Sequence, residues 1–99
     1  MTGALPIEAE PRLVLLAFVH DGCEPCREVR PRLRALAAGA ADVCRVEVVD
    51  AARDRELVER YRVTEYPTLL FLKAGVEVRR LRGGALPAST LALLGDLGR

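Results

Sequence analysis

An unbroken apolar run, Leu13-Val14-Leu15-Leu16-Ala17-Phe18-Val19, is followed within four residues by a Cys-x-x-Cys pair, Cys23 and Cys26. Apolar residues without alternation over so short a run indicate a strand covered on both faces; a membrane span would need far more of them. After Cys26, Val29, Leu33, Leu36 and Ala40 recur at helical spacing. The cysteines therefore stand where a central strand hands over to a helix. Backbone N–H groups at a helix start lack intrahelical partners and carry partial positive charge, which favours an anionic sulfur there.

A free cysteine, with a pKa near 8.5, is only about 3% thiolate at pH 7. Lowering that pKa to about 7 requires about 2 kcal/mol of differential stabilisation. A helix terminus supplies roughly 0.3–1 kcal/mol, and up to about 2 when partly buried. Hydrogen bonds from the second thiol and nearby N–H groups supply the rest. Glu24 acts in the opposite sense: at about 6 Å a like charge costs between roughly 0.7 and 3 kcal/mol, depending on the local dielectric. Cys23 is thus expected to be activated, but less than with a neutral residue at position 24.

The remaining elements follow from local pattern. Residues 1–11, with Pro6 and Pro11, form a short irregular lead-in to a core over 12–97, and residues 1–99 make a single domain. The first strand is expected over about 12–19 and the first helix over about 24–38, with Pro31 kinking it. Residues 43–49, rich in β-branched side chains, make the second strand. Asp50 or Asp54 caps a second helix over about 53–61, which turns Leu57, Val58 and Tyr61 inward. Residues 68–72 form the third strand, Lys73-Ala74-Gly75 a hairpin turn, and 76–81 the fourth strand. Gly83-Gly84 ends it, and Pro87 opens a last helix carrying Leu91, Leu94 and Leu97. The order is βαβαββα, an α/β class with a mixed sheet of about four strands. Connections that contain helices imply parallel pairing, and the hairpin adds an antiparallel strand.

Composition narrows the function. The formal net charge is +1 with four aromatic residues, Phe18, Tyr61, Tyr66 and Phe71, so neither a nucleic-acid surface nor a membrane partner is expected. All but one of the fifteen basic residues are arginine, which reads as a genome-wide bias. Three cysteines do not make a disulfide framework. The opening residues offer neither a basic n-region nor an apolar h-region, so a cytoplasmic location is expected.

Cys23 and Cys26 admit three readings: a redox pair, half of a metal site, or buried thiols. Their position at the head of a helix argues against burial. Zinc would need two more ligands, with only Cys44 and His20 to supply them. Redox exchange fits the spacing best, with no metal. Cys44 alternates with Val46 and Val48 and is expected to point inward as a small inert residue, a regulatory thiol being the lesser alternative. His20 is either a rim residue or a proton partner of the thiols. Arg27, Arg30 and Arg34 share a solvated helix face, from which Arg27 could add field at the sulfurs.

The order of elements, Cys23-Glu24-Pro25-Cys26, Pro31, Tyr66-Pro67-Thr68 and Gly83-Gly84 together resemble the thioredoxin family over about residues 12–97. That resemblance implies a thioredoxin-like fold with helices on both faces of the sheet. It also implies a thiol–disulfide oxidoreductase that needs no cofactor beyond a reversible Cys23–Cys26 disulfide. Cys23 would attack a substrate disulfide and Cys26 resolve the mixed disulfide, with Glu24, Pro25 and His20 modulating them. By the same resemblance the Tyr66–Pro67 bond is cis and faces the cysteines. Gly22, Tyr66, Pro67, Gly83 and Gly84 line a groove for an extended peptide, in which the bend offers the Tyr66 backbone as an edge. The implied partners are disulfide-containing client proteins and a thioredoxin reductase or small-thiol donor, acting on a monomer. An extracytoplasmic thiol reductase of cytochrome c maturation and a non-catalytic binding module of the same fold are the alternatives.

Three features depart from the family pattern. Ala17 stands where many members bury an aspartate beneath the cysteines, leaving Glu24, His20 or water to accept the Cys26 proton. Gly22 stands where tryptophan is usual, so the approach to Cys23 is more open. The lead-in is too short for a full first strand and helix, and at most a strand fragment is expected near residues 5–7.

Overall fold

The computed structural model describes residues 5–83. A 3-10 turn, Ile7–Ala9, precedes β1 (Leu13–Val19), α1 (Glu24–Gly39), β2 (Cys44–Asp50), α2 (Arg55–Arg60), β3 (Thr68–Lys73) and β4 (Val76–Arg82). The four strands lie in the order β2-β1-β3-β4. All seven residues of β1 are buried, as an apolar run without alternation demands of a central strand.

Strand geometry divides this core into two layers. Leu13, Leu15, Ala17 and Val19 face α1 and meet Val29, Leu33 and Leu36, with Leu69 and Phe71 of β3 completing the layer. Val14, Leu16 and Phe18 face the opposite way, packing with Leu70, Leu72 and Val63 under Leu57, Val58 and Tyr61. The helices thus cover both faces. α1 continues through Pro31, which is exposed, and ends where the Ala40 N–H donates to the Leu36 carbonyl at 2.9 Å. Asp54 caps α2 by accepting from the Leu57 N–H at 3.3 Å. The hairpin between β3 and β4 turns at Ala74 (φ 51°) and Gly75 (φ 81°), the paired left-handed residues of a tight hairpin turn.

Two expectations are corrected. β1 pairs with β2 in parallel, Leu13 opposite Cys44 through Val19 opposite Asp50, but β3 runs antiparallel to β1, from Phe18 opposite Thr68 to Val14 opposite Leu72. The reason is length. A six-residue helix rises only about 9 Å, whereas a seven-residue strand spans roughly 20 Å. α2 alone does not carry the chain back along the strands, and the turns around it leave the chain at the end where β2 stopped, so β3 starts there. Second, residues 5–7 form no strand: Pro6 has no N–H to give a ladder, and its carbonyl and that of Ile7 accept from Ala9 and Glu10 in the 3-10 turn.

Glu10, only 4% exposed, ties this lead-in to the sheet. It accepts from Arg12 Nε at 2.8 Å and from Arg12 Nη2 and its backbone N–H at 3.1 Å, and pairs with Arg45 at 3.4 Å. Those partners, Arg12 foremost, hold the Glu10 carboxyl down to about 2. Gly84 and the helix expected from Pro87, with Leu91, Leu94 and Leu97, lie outside the described residues.

Candidate active site

Three segments converge at the end of the sheet where β1 finishes. From β1 the chain turns through His20, Asp21 and Gly22. Gly22 has φ +80°, and a Cβ there would meet nothing within 4 Å, so the left-handed backbone explains the glycine and the space beside it is open. The Cys23 N–H closes the turn on the His20 carbonyl at 3.4 Å. Cys23 then serves as N-cap of α1: its Sγ accepts from the Cys26 backbone N–H at 3.3 Å. Glu24 and Pro25 fill the next two positions, where a proline forfeits no helical bond.

Cys23 and Cys26 form a disulfide with a Cα separation of 5.2 Å. Only one of the two lies near the surface as expected: Cys26, turned by the first turn of α1 into the buried cluster with Ala17 and Val29, is 1% exposed while Cys23 is half-buried, so the two sulfurs are unequal in access. Ala17 lies in the same buried cluster as Cys26 and brings it a methyl group, which can neither take nor give a proton. The exposed Glu24 carboxylate lies 3.6 Å from the Arg27 guanidinium, so the two first-turn charges partly cancel at the sulfurs. Arg30 is half-buried and Arg34 exposed further along the helix.

The second segment is the loop before β3. The Tyr66–Pro67 peptide bond is cis, and the Tyr66 carbonyl oxygen lies 3.7 Å from Cys23 Sγ, within reach of a thiol S–H. Thr68, 1% exposed, donates its hydroxyl to the Glu65 carbonyl at 2.7 Å and closes the loop that presents Tyr66. Reading Thr68 only as the first residue of an apolar strand misses this; a threonine opening a strand straight after a proline was the available signal. The third segment is the end of β4: the Gly83 N–H donates to the Pro67 carbonyl at 3.0 Å, with Gly83 at φ +82°.

Two other candidates remain, one at the rim of the site and one far from it. The exposed His20 ring lies against Tyr66, centroids 5.5 Å apart, with Nδ1 2.6 Å from the Asp21 carbonyl oxygen. Cys44 pairs with Leu13 at the opposite end of β1. It is 1% exposed, and burial pushes its thiol up to about 11. Among the described residues no three His, Cys, Asp or Glu side chains are grouped to hold a metal ion.

Residues 6–94 match the sequence profile of the family described as Thioredoxin. The chain belongs to the thioredoxin family. It is 34% identical over 65 residues to Thioredoxin-1 of Drosophila melanogaster, covering 66% of this chain and 61% of that one. It is 39% identical over 71 residues to the thioredoxin of Chlamydia trachomatis, covering 72% and 69%. Among solved structures, the thioredoxin of Fasciola hepatica superposes with a TM-score of 0.76 at 31% identity, over 91% of this chain and 84% of that one. Against the Drosophila thioredoxins the match spans less than two thirds of the relative's length, from 44% of Thioredoxin-T to 61% of Thioredoxin-1. Among the described residues no helix is long and apolar enough to cross a membrane.

Proposed function

We propose that this thioredoxin-family chain is a thiol–disulfide oxidoreductase that reduces protein disulfides. The observation that carries this reading is the unequal sulfur pair at the head of α1, where Cys23 is accessible and accepts from the Cys26 N–H while Cys26 is closed off. The same bond stabilises a thiolate on Cys23 in the reduced state. That thiolate attacks one sulfur of a client disulfide; the client S–S bond breaks, and its other sulfur leaves as a thiolate that takes a proton from solvent. Cys26, once deprotonated, attacks Cys23 Sγ in the mixed disulfide. The second client thiol departs, and two electrons have moved from the cysteine pair to the client.

Because the electrons reside in the Cys23–Cys26 pair, the cycle requires no bound cofactor; a thioredoxin reductase or small thiol restores the dithiol. Gly22, Tyr66, Pro67, Gly83 and Gly84 hold the client segment, which hydrogen-bonds along the Tyr66 backbone. Glu24, Pro25 and His20 modulate the pair. With Ala17 beneath the sulfurs, the Cys26 proton passes to Glu24, His20 or water. The chain acts as a monomer in the cytoplasm, whose reducing poise keeps such a pair charged.

Insulin reduction with dithiothreitol tests the reading. Wild-type protein accelerates precipitation of the insulin chains, Cys23→Ser abolishes the acceleration, and Cys26→Ser accumulates mixed disulfides through Cys23. No acceleration by wild-type protein, or trapping by Cys23→Ser rather than Cys26→Ser, overturns it.

A further inference from the structure

On the α2 face of the sheet, at the edge beside the end of that short helix, β4 presents charged side chains where β3 presents leucines. Glu77 lies opposite Leu72, Arg80 opposite Leu70 and Arg82 opposite Thr68. With Arg60, Tyr61 and Arg62 at the end of α2 they line a cavity of about 340 Å³. Four guanidinium groups face one carboxylate there. Arg80 is fixed in place: its side chain is 14% exposed, it holds Glu77 through two bonds of 2.9 Å, and it donates to the Tyr61 carbonyl at 2.8 Å. Glu77 is therefore spent on Arg80. Arg82 shares Glu65 at 3.8 Å, both more than half exposed. Arg60 and Arg62 are exposed and make no ion pair among the described residues.

The geometry points to this cavity as the docking site for an acidic stretch of the client, flanking the segment that lies at Tyr66 and Pro67. This rests on the proposed disulfide reduction and adds a charge preference to it. The cavity opens on the sheet face away from the cysteines, whose cluster takes Leu81 between the two arginines, and one end of it adjoins the cis-proline loop, since Arg82 lies opposite Thr68 and the next residue, Gly83, bonds Pro67. Arg80 lies two residues, about 7 Å, further along the strand. An extended peptide leaving the Tyr66 edge at about 3.3 Å per residue brings carboxylates about three to six residues from its reactive cysteine to the arginines. The guanidinium fork matches a carboxylate with two parallel hydrogen bonds.

Equilibrium binding separates this inference from the activity it builds on. The probe is a fluorescein-labelled peptide with serine in place of its cysteine and a Glu-Asp-Glu flank, compared with the same peptide carrying Lys-Lys-Lys. Anisotropy at low salt should show the acidic probe binding about tenfold tighter, a preference that shrinks in 1 M KCl. Arg60→Glu with Arg62→Glu should erase or invert the preference while leaving the melting temperature within a few degrees of wild type. Equal binding of both probes, or an unaltered preference in the double variant, overturns the inference; tighter binding of a single-stranded oligonucleotide than of the acidic peptide does so too. Turnover of neutral 2-hydroxyethyl disulfide reports on the thiol chemistry alone and is unaffected by the double variant.

Discussion

Replacing Glu24 with glutamine should speed alkylation of reduced Cys23 about twofold, and not tenfold. Glu24 opens α1 directly after Cys23; its side chain is 77% exposed and sits 3.6 Å from Arg27, itself 72% exposed. A unit charge about 6 Å from the sulfur acts with about 0.7 kcal/mol at the dielectric of water, but about 3 kcal/mol at an effective constant near 20. The exposure of both side chains selects the smaller figure, and Arg27 opposes even that. About 0.7 kcal/mol corresponds to roughly threefold more thiolate where the thiol is mostly protonated. A more acidic thiol is also a weaker nucleophile, which trims the gain to about twofold. Arg27→Gln should slow the reaction by a similar factor, and the double variant should return close to wild type. The measurement is the iodoacetamide rate on the reduced protein, read at Cys23 by peptide mass spectrometry. A tenfold gain in Glu24→Gln, or an effect that survives 1 M KCl with its Debye length of about 3 Å, would refute the solvent-screened picture.

Three further outcomes follow from the fold. Because Arg12, with Arg45 behind it, holds the Glu10 carboxyl down to about 2, this group stabilises the fold above the pKa of an unfolded glutamate and loses that contribution as pH falls from about 4.5 towards 2. Glu10→Gln should therefore melt lower at neutral pH and show a flatter acid limb in denaturant midpoints between pH 5 and 2; an unchanged acid limb would count against the bridge. Leu33→Ala empties a fully buried position under α1 and should cost about 3–5 kcal/mol in urea titration, a loss below about 1 kcal/mol being inconsistent with the packing. Cys44, with its thiol pushed up to about 11 by burial, should resist iodoacetamide at pH 8 until the protein is unfolded, and labelling at the rate of Cys23 would show that its end of the sheet opens.

The central strand was readable because its seven residues are all apolar, a pattern that only full burial explains. The α1 start was readable because Cys23 and Pro25 stand where the following apolar residues already fix the helix phase. The cap of α2 was readable only as Asp50 or Asp54, and Asp54 takes it. The direction of β3 was not readable from pairing rules, because a connection that contains a helix usually crosses the sheet, and this one returns the chain at the rim it left. The Glu24–Arg27 pair and the Thr68 hydroxyl bond belong to side-chain geometry, which residue patterns leave open. The basic cavity is not legible in the residue pattern for a related reason. Arg60 and Arg62 sit in one segment and Arg80 and Arg82 in another, and only the antiparallel return of β4 beside α2 assembles them.

The rim at which the chain re-enters the sheet after α2 decides more than topology. A parallel β3 would begin at the opposite rim, beside the start of β1. Tyr66 and Pro67 would then sit near Cys44 instead of Cys23. The sulfurs would face open water, with no backbone neighbour to align an incoming disulfide. The direction of one strand thus keeps a reactive thiol beside its docking edge without any residue of either being changed.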